Sequence, residues 1–220
     1  QELAQGRAVP ASVGQALVGC GRARPGHEIE IVDVESGGQR AVGIVGEIQV
    51  SGPSVALGYW QNPEATQQTF VRRGGRVFLR TGDLGFVHDG ELFVTGRQKD
   101  LIIVRGQNLY PQDIERGVEE QVKVLRQGRV VAFGLERAEQ EGIVIAAEVS
   151  PRMRKLIDPP SVRRAISELV AQSFGEPPIE VLLLEPGAVP TTSSGKLQRS
   201  ACKGAWLAGE LALLSAKSEV

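Results

Sequence analysis

The chain has 220 residues, 41% hydrophobic and 23% charged, with a formal net charge of −1 at pH 7. That is apolar material for one domain or two small ones, and it lacks the basic excess of a general nucleic-acid binder. No run of about 18 apolar residues could span a membrane, and no charged stretch leading into an apolar one marks a secretion signal after Gln1.

Cys20 and Cys202 lie far apart and fit no metal spacing, which points to reduced thiols in a cytoplasmic protein. His27 and His88 are too few for a zinc site or a Ser-His-Asp triad, so no metal site is expected. Glycine is abundant (27 residues), yet neither GxxxxGK[ST] nor a strand-linked GxGxxG occurs. The chain opens without Met and enters a strand-rich region at once, so it is expected to be the tail of a longer polypeptide.

Residues 1–20 carry little pattern, with Gly6, Pro10 and Gly14 interrupting any long helix. From Glu28 to Asp33 polar and apolar residues alternate as in a half-buried strand. Ser36-Gly37-Gly38 turns the chain, and Gly46–Val50 supplies a partner strand. Asn62-Pro63-Glu64 starts a short helix running to Phe70. Val77–Leu79, Leu84–Val87 and Glu91–Val94 read as brief strands, the last two joined by the hairpin signal Asp89-Gly90. Short strands at this spacing predict a small barrel-like sheet.

Thr95 to Glu115, TGRQKDLIIVRGQNLYPQDIE, organises the rest. It runs through the strand Leu101–Val104, turns at Gly106 and enters a helix over 111–122 at Tyr110-Pro111, with Ile114, Val118 and Val122 on one stripe. Arg129–Leu135 and Gly142–Val149 are apolar strands with a charged turn, Glu136–Glu141, between them. Asp158-Pro159 begins a helix whose Val162, Ile166, Leu169, Val170 and Phe174 share a face, and Gly175 closes it. Ile179–Leu184 is a third strand and Pro186–Gly195 a loop. Leu197–Leu214 is predicted helical, with Trp206, Leu207, Leu211 and Leu214 on one side. The whole reads as α+β: a barrel-like subdomain over 1–98, then an α+β domain over 99–220 built of a three-stranded sheet with helices and an N-terminal hairpin.

Three residues could carry chemistry. Asp83 follows Gly82 where a ligand can approach the backbone. A carboxylate there can accept hydrogen bonds from a ribose diol, although an Asx-turn aspartate looks the same. Arg97, after Gly96, offers fixed donors for ribose oxygens or a phosphate, or is an ordinary turn arginine. Lys196 sits in the polar loop Thr191-Thr192-Ser193-Ser194-Gly195-Lys196. It could stabilise charge on a phosphoryl or carboxylate oxygen, or simply be solvated.

Taken together and in order, TGDLGF, GRQKDLIIVRGQNLYPQDIE and TTSSGKLQR resemble the late motifs of the adenylate-forming superfamily: acyl-CoA synthetases, luciferases and peptide-synthetase adenylation domains. GPSVALGYW at 52–60 matches a further pattern of that group. FLRTGDLGF, GRQKDLII and above all NLYPQDIE look most like fatty acyl-AMP ligases, in which Tyr110-Pro111-Gln112 replaces the isoleucine and polar residue usual elsewhere. The resemblance implies that Asp83 holds the ribose hydroxyls of ATP and of acyl-AMP, and that Arg97 assists at the ribose or phosphate. It makes Lys99 the hinge of a mobile C-terminal lid, Lys196 the adenylation lysine, and Gly106 part of the pantetheine approach.

It further implies a fatty-acid substrate, an acyl carrier protein or carrier domain as acceptor, and ATP with Mg²⁺ bound mainly by a preceding portion that holds the phosphate loop, adenine site and acyl tunnel. The piece alone is then expected to be inactive, and 1–20 to overlap an insertion typical of these ligases. Coenzyme A as acceptor is one alternative. A non-catalytic carrier-binding module is another, suggested by Arg152, Arg154, Lys155, Arg163 and Arg164 against Asp158 alone, a face that could attract an acidic partner.

Overall fold

In a computed structural model that describes residues 2–12, 14, 16–137 and 140–214, the chain divides into two units, Gln1–Lys99 and Asp100–Val220. The alternating segment becomes β1 (Glu28–Val32), antiparallel to β2 (Gly46–Ser51). Asn62 caps α1 (Pro63–Thr69), its side-chain oxygen accepting from the Ala65 amide at 3.0 Å. β3 (Phe70–Arg73), which the sequence did not single out, pairs with β4 (Arg76–His88). The brief strands expected at Val77–Leu79 and Leu84–Val87 are therefore one long strand. It turns at Asp89-Gly90 into β5 (Glu91–Arg97).

These strands form a five-stranded sheet in the order β1-β2-β4-β3, with β5 on a further stretch of β4. The expected barrel-like sheet is an open one and does not close into a barrel. Its length comes from β4, which changes partners part-way along instead of curling the sheet shut. The segment before β1 holds a short 3-10 turn, Leu3–Gln5, and makes isolated bridges from Arg7 to Ile44, just ahead of β2, and from Gly19 to Phe93 of β5.

The second unit begins with a hairpin of β6 (Ile102–Val104) and β7 (Gln107–Leu109). Tyr110 is extended, as the residue before a proline should be, and α2 (Pro111–Gln121) follows with Ile114 and Val118 buried. β8 (Leu125–Arg137), β9 (Gln140–Val149) and β10 (Glu180–Leu184) make a sheet in the order β10-β9-β8, parallel between β9 and β10. The predicted charged turn at Glu136–Glu141 lies partly outside the described residues.

α3 (Pro159–Phe174) is capped by Asp158 and closed by Gly175 as read from sequence. Ile143, Ile145 and Ala147 of β9 pack with α2 and α3 on one face, while Val144 and Ala146 pack with Cys202 and Trp206 on the other. A sheet covered on both faces has no polar side, so its strands are continuous apolar runs.

The last helix is shorter than predicted. α4 spans Arg199–Leu207, and Leu207 is 63% exposed rather than part of the buried side. Beyond it Leu211 and Leu214 still join the core, but from non-helical chain held by the Leu184–Leu213 bridge. Among the described residues no helix is long and apolar enough to cross a membrane.

Cys20 is exposed and Cys202 buried. Burial, with a smaller contribution from the Glu115 charge, pushes the Cys202 thiol from 9.0 up to about 11. The unfolded chain thus releases this proton first, so the contribution of Cys202 to stability is full below pH ~9 and is lost as pH rises toward 11. A thiol reagent applied to the native chain at neutral pH should titrate Cys20 alone, with Cys202 reacting after denaturation. Rapid native reaction at Cys202 would contradict its burial.

Candidate functional site

Two irregularities in the first sheet bring Asp83 and Arg97 together. Between Glu47 and Gln49 the β2–β4 register shifts, from Glu47 opposite Leu84 to Gln49 opposite Arg80, so Thr81, Gly82 and Asp83 stand against Ile48 alone. Gly82 takes φ +69°, and a Cβ there would meet nothing within 4 Å. The backbone angle, not crowding, is what asks for glycine. Thr81 locks the bulge, its Oγ1 donating to the Ile48 carbonyl at 2.7 Å and accepting from the Asp83 amide at 3.1 Å.

On the other side of β4 the register with β5 shifts after Leu84, leaving buried Thr95 as the extra residue and Arg97 directly opposite Asp83. Bulges of this kind re-aim side chains beside functional sites. The Arg97 Nε donates to Asp83 Oδ1 at 2.9 Å, in a pair that stays open to solvent, with the side chains 51% and 37% exposed. The sequence presented these two residues as independent candidates. The fold makes them one unit, a carboxylate oriented by a guanidinium.

Lys99 lies exposed in the 3-10 turn Gln98–Asp100, as the last residue of the first unit. Gly106 takes φ +75° and Arg105 φ +50° between β6 and β7, the two left-handed residues of a tight hairpin turn. Arg105 pairs with Glu176 just past α3. The backbone amide of Ile103 donates to Glu141 Oε2 at 2.9 Å, tying the hairpin to β9.

Lys196 is exposed on a turn more ordered than the loop expected. Thr191 bridges to Leu197, the Thr192 amide donates to the Lys196 carbonyl at 2.8 Å, and Thr192 Oγ1 accepts from the Lys196 amide at 3.0 Å. Of the expected site residues, Asp83 and Arg97 make contact, while Lys99, Gly106 and Lys196 occupy separate turns. GPSVALGYW presents Leu57 and Trp60 to solvent, 99% and 89% exposed.

A buried polar network around Arg199 was missed in the sequence. Arg199, at the start of α4, donates from Nε to Glu115 Oε1 at 2.8 Å, from Nη2 to Glu115 Oε2 at 2.7 Å, and from Nη1 to Asp100 Oδ2 at 3.0 Å. Its pKa is raised, chiefly by the hydrogen bond to Glu115. Glu115 Oε1 also accepts from the Ala132 amide at 3.0 Å. The available signal was position: Glu115 falls on the stripe of Ile114 and Val118, and a carboxylate on a core-facing stripe needs a cation.

The basic tract is partly committed within the fold. Arg154 pairs with Glu185 at 2.6 Å and Arg163 Nε donates to the Val181 carbonyl at 3.3 Å, leaving Arg152, Lys155 and Arg164 at the surface. Among the described residues no three His, Cys, Asp or Glu side chains gather to hold a metal ion.

No family model matches the chain. It is 41% identical over 208 residues to the medium-chain fatty-acid–[acyl-carrier-protein] ligase JamA of Moorena producens, covering 93% of this chain and 35% of that protein. It is 37% identical over 221 residues to the long-chain fatty-acid–AMP ligase FadD26 of Mycobacterium tuberculosis, covering 92% and 36%. Among solved structures it resembles a fatty acyl-adenylate ligase from a study of the E. coli and L. pneumophila enzymes, with TM-score 0.75, 36% identity and coverage of 94% and 36%. It also resembles the A-PCP structure of McyG with phenylalanyl-adenylate, with TM-score 0.74, 34% identity and coverage of 88% and 34%. The chain spans about a third of the length of the curated relatives it matches.

Replacing Gly82 or Gly106 with Ala places a Cβ in the left-handed region, at a cost of about 1 kcal/mol each. Each should lower the urea midpoint of the chain without changing the slope. An unchanged midpoint would remove the conformational argument for that glycine.

Proposed function

Because the chain is homologous over nearly its whole length to fatty acyl-AMP ligases of the adenylate-forming superfamily, we propose that it serves in activating a fatty acid with ATP and passing the acyl group to the phosphopantetheine of an acyl carrier protein. In the first step a carboxylate oxygen of the fatty acid bonds to the α-phosphorus of ATP, and pyrophosphate leaves with the electrons of the broken P–O bond. In the second, the pantetheine thiol, losing its proton to solvent, attacks the acyl carbon of the adenylate. The thioester forms and AMP departs.

The observation that carries this reading is the Asp83–Arg97 pair at an open position of the sheet. A carboxylate held from one side by a guanidinium is pre-oriented to accept from the vicinal hydroxyls of a ribose. That matches a ligand common to both steps, since ATP and acyl-AMP share the ribose. Lys196 supplies a single mobile positive charge on an ordered turn, suited to the oxygens around the α-phosphorus as charge builds there. Lys99, on the turn at which the first unit ends, is the pivot in this reading. The Gly106 hairpin lines the pantetheine approach. Mg²⁺ and most of the ATP contacts are assigned to other parts of the ligase, and the chain by itself should catalyse neither step.

In the full-length ligase carrying this sequence, Lys196→Ala should lower fatty-acid-dependent ATP–pyrophosphate exchange by about a hundredfold or more, the loss typical of one charge-stabilising donor. Near-normal exchange would sink the role of Lys196. Asp83→Ala should raise the KM for ATP while the chain stays folded. An unchanged KM would return Asp83 to the status of a turn residue. Product analysis with coenzyme A and carrier protein in parallel decides the acceptor. Acyl-carrier product is expected, and rapid acyl-CoA formation would replace this reading with an acyl-CoA synthetase.

A further inference from the structure

The turn that presents Lys196 is gripped at both ends by buried carboxylates. On entry, the Val189 amide donates to Glu148 Oε1 at 2.8 Å. Glu148 is fully buried on β9, and its other oxygen takes Arg126 Nη1 at 2.9 Å. The base of the turn closes through the Gln198 amide to the Pro190 carbonyl at 3.0 Å. On exit, Arg199 joins the buried Glu115 of α2 and Asp100, the residue that opens the second unit.

The placement of Arg199 is unusual in a way that calls for a reason. As the first residue of α4 it sits where the helix dipole disfavours a cation, and Gln198 before it makes no side-chain cap. The two carboxylates more than offset that bias, and the raised pKa of Arg199 follows from the same contacts. Its fork places two parallel bonds on the Glu115 carboxylate and a third nitrogen on Asp100, a geometry lysine cannot copy. Ser193, Ser194, Gly195 and Lys196 at the tip of the turn are exposed, and the turn is held by the internal hydrogen bonds of Thr192 and by Leu197 at its base, which packs against the core. Its orientation is therefore set by its anchors.

We propose that Arg199, through Glu115 and Asp100, is the positioning residue for Lys196, required for adenylate formation and not for acyl transfer. This rests on the adenylation role given to Lys196 above. Arg199 touches no substrate in this account. It fixes the direction in which the lysine leaves the body of the second unit, and it links that direction to Asp100, the chain's first residue after Lys99.

The test uses the full-length ligase carrying this sequence, with the two half-reactions measured separately. Arg199→Gln should lower kcat for pyrophosphate exchange by about tenfold to a hundredfold, the range expected when a catalytic group is displaced by about an ångström. KM for ATP and the rate of acyl transfer from supplied acyl-adenylate to carrier protein should stay within about twofold of the parent, since neither depends on a group acting only in the first transition state. Arg199→Lys, which keeps the charge without the fork, should fall between.

Because Arg199 acts through the lysine, adding Arg199→Gln to Lys196→Ala should cause no further loss of exchange, whereas independent effects would multiply. In the 220-residue chain itself, Arg199→Lys should speed amide hydrogen exchange at Lys196, whose N–H is held by Thr192 Oγ1. That readout needs no activity and remains decisive should Arg199→Gln fold poorly. Full exchange activity in Arg199→Gln, equal losses in both half-reactions, multiplying losses in the double variant, or an unchanged Lys196 amide would each overturn the proposal. Exchange retained in Lys196→Ala alone would instead overturn the role of the lysine on which it stands, and the two failures are told apart by which single variant is silent.

Discussion

A carboxylate inside an apolar core must be matched, and in the second unit that demand falls on Glu115. It sits 6% exposed beside Ile114 and Val118 and satisfies itself from two sides. One oxygen takes the Ala132 amide and a nitrogen of Arg199, and the other takes a second nitrogen of Arg199. Removing one partner of such a pair leaves an uncompensated buried charge, typically costing about 3–5 kcal/mol. The pair thereby dictates where the chain after the Lys196 turn must return.

The same helix guards an edge. β8 is the outer strand of its sheet, and the amides of Val130 and Ala132 point away from β9 toward α2. Glu119 accepts from Val130 at 3.2 Å and Glu115 from Ala132 at 3.0 Å. Four residues along a helix advance about 6 Å and two along a strand about 6.6 Å, so a pair of glutamates one turn apart matches alternate amides of an edge strand. An unpaired edge is a liability for association. Covering it with helix carboxylates also fixes the axial position of α2, and with it the site where Arg199 must land.

In the first unit the governing constraint is different: a long strand that serves two partners on one side. β4 pairs with β3 and then with β5, and the transition is made by the bulge at Thr81-Gly82-Asp83. A second register shift on β5 places Arg97 opposite Asp83. The exposed ion pair adds little to stability by itself. Its value is orientation, since the irregularity that lets one strand change neighbours also turns a carboxylate and a guanidinium toward each other.

Much of this was legible in the residues. Asn62-Pro63, Tyr110-Pro111, Asp158-Pro159 and Gly175 fixed helix ends because caps and prolines act within a few residues of chain, and apolar runs marked the strands of the second sheet. Local order also set the sequence of motifs that carries the family resemblance. The misses were of one kind. Whether Val77–Leu79 and Leu84–Val87 were two strands or one depended on a partner far along the chain. The sheet stayed open because β4 accepted β3 and β5 in succession, and α4 ended at Leu207 because the chain beyond it bridges β10. Asp83 and Arg97 were each visible as candidates, but their pairing required two bulges in register. The clamp of Arg199 on Glu115 and Asp100 joins residues distant in sequence. The sequence by itself determined where the helices begin and which segments are apolar enough to become buried strands, since those follow from short-range geometry. Tertiary structure alone decided which charges meet, because burial turns a distant carboxylate and guanidinium into obligatory partners.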